Sequence, residues 1–197
     1  MFPFVCVRES LSANIFSSFY PGYSPDTEIY IEAINGLWKA DNSFIGTIEI
    51  SPEKGGYYSV VTADCDNESE GGFFDLKLGY EAKLFRVDNV LFVDLLPMSD
   101  YLSDMWSVHV HNFAIIEFSP YEIRASIIDP TYIERYFTKA KNIGYLKNEN
   151  YILLTEPPAT IQKILLDVSK EYKAQETIIF KRISPTKPLQ PTAHSCG

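Results

Sequence analysis

Apolar and polar residues alternate along most of the chain between residues 36 and 129, which is typical of β strands with one buried face. In the segment 44–51, Ile48 and Ile50 fall on one face and Thr47 and Glu49 on the other. Clusters of Gly, Pro, Asn and Asp separate the alternating segments and predict tight turns. Strands are predicted from Leu37 and over 44–51, 57–63, 73–87, 90–96, 108–118, 123–128, 151–154 and 177–183.

The spacing of apolar residues changes to three and four in two later segments, which predicts helices near 130–141 and 157–173. Asp129 and Pro130 form a favourable helix start, and Thr155 caps the second helix. The second helix is apolar on one side only, so we expect it to pack against the outside of the sheet. A shorter helix is predicted over 99–107, and a helical turn over 26–35.

Seven to nine strands joined mainly by hairpins must protect their sheet edges, and closure into a barrel does so. The pattern therefore predicts a mainly β fold with a few helices, an antiparallel up-and-down β-barrel of about eight strands. We expect residues 1–25 to form an irregular N-terminal arm and residues 26–183 a single barrel domain. Residues 184–197 contain three prolines without periodicity, which predicts a disordered C-terminal tail.

The motif Gly36-Leu37-Trp38 begins this run of strands, and with the antiparallel meander it resembles lipocalin-like, calycin-type barrels. The resemblance implies that Trp38 packs across the closed end of the barrel against a basic residue of the final strand, where Arg182 stands. Gly36, Trp38 and Arg182 are therefore expected to form a structural plug. The chain departs from that pattern because its most clearly amphipathic helix, near 157–173, precedes the last strand.

The chain also resembles a group of uncharacterised bacterial proteins that share the Gly-x-Trp start, a strand similar to 91–94, a His-containing strand and a Leu-Leu-Thr segment, here 153–155. That group is often secreted or lipid-anchored. The tail 189–197 resembles the ends of integron gene-cassette proteins. The sequence as given predicts a cytoplasmic protein, and an upstream signal missing from its start would make it periplasmic or lipid-anchored.

The formal net charge of −9 argues against a nucleic-acid surface, since phosphate binding requires clustered Lys and Arg. No apolar stretch approaches the length of a transmembrane helix. No Cys-x-x-Cys motif is formed by the three cysteines, Cys6, Cys65 and Cys196, so no zinc site is indicated. No phosphate-binding loop is present either, and we expect no cofactor.

Three residues carry the remaining candidate chemistry. His109 and His111 lie two apart in one strand, so both rings project from the same face and form weak candidates for metal ligands, with Asp94 as a third. The alternative is a pair of hydrogen-bonded histidines. Asp94 interrupts an apolar strand, so it must reach water or hydrogen-bond donors, and it could act as an acid or base.

The leading functional hypothesis is a non-enzymatic binding protein for a small, mainly apolar ligand held inside the barrel. A filled barrel that acts as a protein-interaction module, including as a homodimer, is the alternative. A hydrolase or metal enzyme that uses Asp94, His109 and His111 is the third hypothesis. Which strand face points inward is left open, because a one-residue slip reverses it. The alternation gives as candidate lining residues Tyr58, Val60, Tyr80, Ala82, Leu84, Phe92 and Phe113.

Overall fold

A computed structural model describes residues 15–41, 46–62, 79–98, 110–128, 130–139, 143–147, 151–171 and 177–183. The strands within these ranges are β1 Ile15–Ser18, β2 Glu28–Ile29, β3 Gly36–Ala40, β4 Thr47–Pro52, β5 Tyr58–Thr62, β6 Gly79–Val87, β7 Val90–Pro97, β8 His111–Phe118, β9 Glu122–Ile127, β10 Tyr145–Lys147, β11 Tyr151–Leu154 and β12 Thr177–Arg182. The helices are α1 Pro130–Lys139 and α2 Pro158–Glu171, and short 3₁₀ turns span Glu32–Ile34 and Lys54–Gly56.

Eight strands form a closed antiparallel barrel, which confirms the fold class expected from the sequence. Strands β3 to β9 follow one another as a meander, and β12 inserts between β9 and β3. Pairing of β8 with β9 and of β12 with both of its neighbours completes the ring. No edge of these eight strands is left without a partner, so closure satisfies their backbone hydrogen bonds.

A three-stranded side sheet continues from the start of β8. Strand β1 pairs antiparallel with β8 and parallel with β11, and β10 lies at its outer edge. Residues 15–18 of the expected irregular arm thus form a strand. In the segment 26–35, a short strand at Glu28–Ile29 precedes the 3₁₀ turn at Glu32–Ile34. The predicted helix over 99–107, the tail 184–197 and His109 lie outside the described residues.

Alternating residues of the barrel strands divide into two apolar cores. The interior core lies inside the barrel and contains Trp38, Tyr58, Leu84, Val93 and Phe180, together with the other residues of its cluster. The outer core lies between the outside of β6, β7 and β8 on one side and β1, β11 and the two helices on the other. Its strand residues include Phe85, Phe92 and Phe113.

Helix α2 packs as its periodicity predicts. Ile161, Ile164, Leu165 and Val168 are buried on one side and belong to the outer core. Burial of this stripe against the barrel contributes most of the stability of such a helix in water. In the part of the chain that the structure describes, neither helix is long and apolar enough to cross a membrane.

Candidate functional site: barrel interior and outer charge cluster

One end of the barrel, here called the plugged end, is closed by Trp38. Its ring is completely buried, and its indole N–H donates a 2.8 Å hydrogen bond to the carbonyl oxygen of Ile34 in the preceding 3₁₀ turn. The guanidinium carbon of Arg182 lies 4.1 Å from the centroid of the Trp38 ring. The structure thus brings together the two residues that the lipocalin-like motif pairs.

Arg182 also ties three chain segments together at the plugged end. Its Nη1 donates to the carbonyl oxygen of Asn35 over 3.0 Å, its Nη2 to that of Ala33, and its Nε to that of Pro120 over 2.8 Å. Gly36 adopts a φ of +131°, and a Cβ at this position would lie 3.0 Å from Nη1 of Arg182. Glycine is therefore required both by the backbone conformation and by the close approach of the guanidinium.

The barrel interior brings together five of the seven candidate lining residues. Tyr58, Ala82 and Leu84 are buried in the interior core, and Val60 packs against it. Tyr80 lies directly opposite Val60 in the β5–β6 pairing and therefore shares its face. On this face Trp38, Tyr58 and Ala40 are buried, whereas Val60 and Tyr80 are half-buried.

Phe92 and Phe113 do not line the interior, contrary to the expectation from alternation. Phe92 stacks on Phe85 with ring centroids 5.3 Å apart, and Phe113 lies 5.8 Å from Phe16. All four rings belong to the outer core. The inward positions of β7 and β8 are instead those one residue later, Val93 and Ala114.

Tyr80 marks the end of the interior opposite the plug, here called the distal end. Burial raises the pKa of its phenol above the ordinary value. The hydroxyl has no hydrogen-bond partner among the described residues. It therefore remains a protonated donor at neutral pH and is available to a ligand.

On the outer face, Asp94 is buried and its two oxygens are both engaged. Oδ1 lies 2.8 Å from Nδ1 of His111, and Oδ2 accepts a 2.8 Å hydrogen bond from the backbone N–H of Gly22. A carboxylate oxygen accepts, so Nδ1 of His111 is the donor of this hydrogen bond. Nε2 is the other ring nitrogen, and no described residue bonds to it.

Lys83 is the second buried charge of the outer face and lies directly opposite Asp94 in the β6–β7 pairing. Its ammonium group lies 2.7 Å from Oε2 of Glu28 and donates to the carbonyl oxygen of Gly55 over 2.7 Å. The ring centroid of Tyr57 is 4.2 Å away. Burial of this lysine is tolerated because a carboxylate, a carbonyl and an aromatic face all surround it.

The outer cluster consists of Asp94, His111, Lys83, Glu28 and Tyr57. Tyr23, in the segment that follows β1, packs over the Lys83 side of this cluster. Its hydroxyl lies 3.0 Å from that of Tyr57, and its ring is 5.7 Å from the ammonium of Lys83. Burial first, and then the hydrogen bond with Tyr57, raise the pKa of Tyr23 far above the ordinary value of a phenol. Segment 19–30 is thus held on the barrel through Gly22, Tyr23 and Glu28.

Asp94 and His111 stand out in the sequence as candidate site residues, whereas Lys83 does not, although the sequence contains a signal for its position. The Asp88-Asn89 turn joins β6 and β7 so that Val87 pairs with Val90. Lys83 and Asp94 are each four residues away from this Val87–Val90 pair, so the register set by the turn places them opposite each other. Nothing local marks the contributions of Tyr23 and Glu28, because segment 19–30 reaches the cluster only through tertiary packing.

Among the described residues, no group of three His, Cys, Asp or Glu side chains converges in a way that could hold a metal ion. His109, the third residue of the proposed metal set, lies outside these ranges. The arrangement that does form is an imidazole oriented by a buried carboxylate, which suits proton transfer.

Comparison with known proteins yielded no matching family model and no significant match among curated proteins or solved structures. Functional inference therefore rests on the geometry of the two sites.

Proposed function

We propose that the protein is a lipocalin-like binding protein that holds a small, mainly apolar ligand inside its barrel. The observation that carries this proposal is the apolar interior face, which Trp38 closes at the plugged end and which is only half-buried at Val60 and Tyr80. Small barrels of about eight strands can hold one small ligand in their interior. The plug of Trp38 and Arg182 supports the lipocalin-like assignment.

Small residues on the interior face support the same proposal. Ala40, Ala82, Ala114 and Ala125 come from four different barrel strands and all belong to or pack against the interior core. Alanine contributes one methyl group where leucine or phenylalanine would reach the barrel axis. A ligand that occupies this region would be surrounded by hydrocarbon, which favours apolar molecules.

We expect Ala40→Leu to weaken binding of a neutral aromatic probe, 2-ethylnaphthalene, about tenfold, because its added atoms occupy interior space. Ala40 is the last residue of β3 and faces the interior near the distal end. Equilibrium dialysis with ultraviolet detection gives the dissociation constants. Lys39→Leu is the matched control, since it adds the same side chain one residue away at an exposed position on the outside.

Uptake by the unsubstituted protein at one site, reduced in Ala40→Leu and unchanged in Lys39→Leu, supports the proposal. Val60→Phe provides a second interior substitution at a half-buried position if Ala40→Leu lowers stability. Absence of uptake of both this probe and the ketone 2-acetylnaphthalene by the unsubstituted protein contradicts the proposed function, and equal loss in both leucine variants contradicts the interior location.

The 2.8 Å contact between Asp94 and His111 favours a second candidate function, general-base catalysis of hydrolysis. In that reaction Nε2 of His111 accepts a proton from water as the water oxygen bonds to the acyl carbon of an ester. The bond to the leaving alcohol then breaks, and the proton passes to that alcohol. Asp94 acts as a positioning residue that fixes the imidazole tautomer.

For this second function we expect the folded protein to hydrolyse p-nitrophenyl acetate and His111→Gln to lower the rate about tenfold, the low end of typical general-base effects. Absorbance of the released nitrophenolate measures the rate. The same protein in denaturant controls for non-specific attack by histidine. An unchanged rate in His111→Gln, or a rate equal to that of the denatured protein, refutes it.

A further inference from the structure

Polar groups on the interior face are satisfied by the protein at most of the described positions. The hydroxyl of Tyr58 accepts a 2.7 Å hydrogen bond from the backbone N–H of Ile31. Trp38 and Arg182 bond to backbone carbonyl groups at the plugged end, as described above. These residues therefore have little capacity left to recognise a ligand.

Asn112 is the interior-facing polar residue of β8, since it pairs directly with Leu95. Its side-chain oxygen accepts a 2.7 Å hydrogen bond from Ser17, and its nitrogen donates to the carbonyl oxygen of Val110 over 3.3 Å. Among the described interior side chains, this leaves the hydroxyl of Tyr80 as the half-buried polar group without a partner, since Arg86 is exposed. It lies at the distal end, where a ligand would enter.

We propose that Tyr80 determines ligand specificity by donating one hydrogen bond to a neutral, mainly apolar molecule that carries a single acceptor, such as a ketone or an ester. The inference rests on the proposed function and names the chemical class of its ligand. The apolar body of the ligand lies toward Trp38, and its acceptor lies at the distal end beside the phenol of Tyr80.

Donation by Tyr80 follows from its surroundings. Burial disfavours the phenolate, so the hydroxyl keeps its proton. A ligand acceptor that bonds to this half-buried hydroxyl gains a hydrogen bond where access to water is reduced. The same site discriminates against a purely hydrocarbon ligand, which leaves the hydroxyl unpaired.

The charges of the described residues exclude an anionic ligand from this class. The described cations on the interior face are Arg182, which is engaged with three carbonyl groups at the plugged end, and Arg86, which is exposed and lies six residues along β6 from Tyr80. Lys83 lies on the outer face of β6, beside Glu28. A carboxylate at the distal end would lose hydration without meeting a cation of the described residues, which disfavours its binding.

The test uses three probes of nearly equal shape: 2-acetylnaphthalene carries one acceptor, 2-ethylnaphthalene none, and 2-naphthoate a charge. We expect Tyr80→Phe to weaken binding of the ketone about fivefold, the effect of one hydrogen bond, and to leave the hydrocarbon unchanged. The unsubstituted protein should bind naphthoate more weakly than the ketone. Tyr121→Phe, at an exposed residue of the plugged end, is the matched control.

The outcomes separate this inference from the function on which it rests. If the unsubstituted protein binds neither neutral probe, the proposed function fails. If it binds both and Tyr80→Phe affects both equally or neither, the barrel is a binding site but Tyr80 does not select the ligand. Tighter binding of naphthoate than of the ketone overturns the assignment to neutral molecules.

Discussion

Replacement of Trp38 by alanine is expected to lower the free energy of unfolding by about 3–5 kcal/mol, as for other large aromatic residues truncated in a core. The ring is completely buried, and it contacts Phe118 edge-on with centroids 6.3 Å apart. Its removal leaves a void beneath Arg182 and frees the carbonyl of Ile34 from its hydrogen bond. Urea denaturation followed by circular dichroism measures the loss.

Two substitutions separate the contributions to this effect. Trp38→Phe keeps an aromatic ring at the plugged end but loses the N–H group, so we expect a smaller loss of about 1–2 kcal/mol. Lys39→Ala changes the next residue of β3, which is exposed, and should leave stability nearly unchanged. A loss below about 1 kcal/mol in Trp38→Ala would mean that the plug does not stabilise the barrel.

Much of the barrel could be predicted from local pattern because hairpins pair residues that are close in the chain. The Asp88-Asn89 turn fixes the register of β6 against β7, and similar short connections link β3 to β4 and β8 to β9. Strand β1 could not be found this way. Its four residues pair with β11 and β8, which lie far away in sequence, so no local signal specifies the pairing.

The inward face of β7 was not predictable because both of its faces are buried. Residues 90–96 are almost continuously apolar, since β1, β11 and the helices cover the outside of the barrel there. Alternation identifies a face only when one side is polar, so Phe92 and Val93 were equivalent candidates. The polar residue that does distinguish the faces is Asp94, and its partners come from segment 19–30 and β8.

Removal of the carboxylate in Asp94→Ala is expected to destabilise the protein by about 3 kcal/mol. It leaves the N–H of Gly22 and Nδ1 of His111 without their acceptor in a buried site, and it removes the negative charge opposite Lys83. Urea denaturation measures the loss. Hydrogen exchange at the amide of Gly22 should also become faster, because that N–H donates to Asp94 in the native structure.

Asp94→Asn and Glu81→Ala are the matched controls for this effect. Asparagine retains one acceptor oxygen, so it should lose about half as much stability as alanine. Glu81 is an exposed carboxylate on the same face of β6 as Lys83, and its removal should have little effect. Equal stability of Asp94→Ala and the unsubstituted protein, with unchanged exchange at Gly22, would show that segment 19–30 is held on the barrel by apolar packing alone.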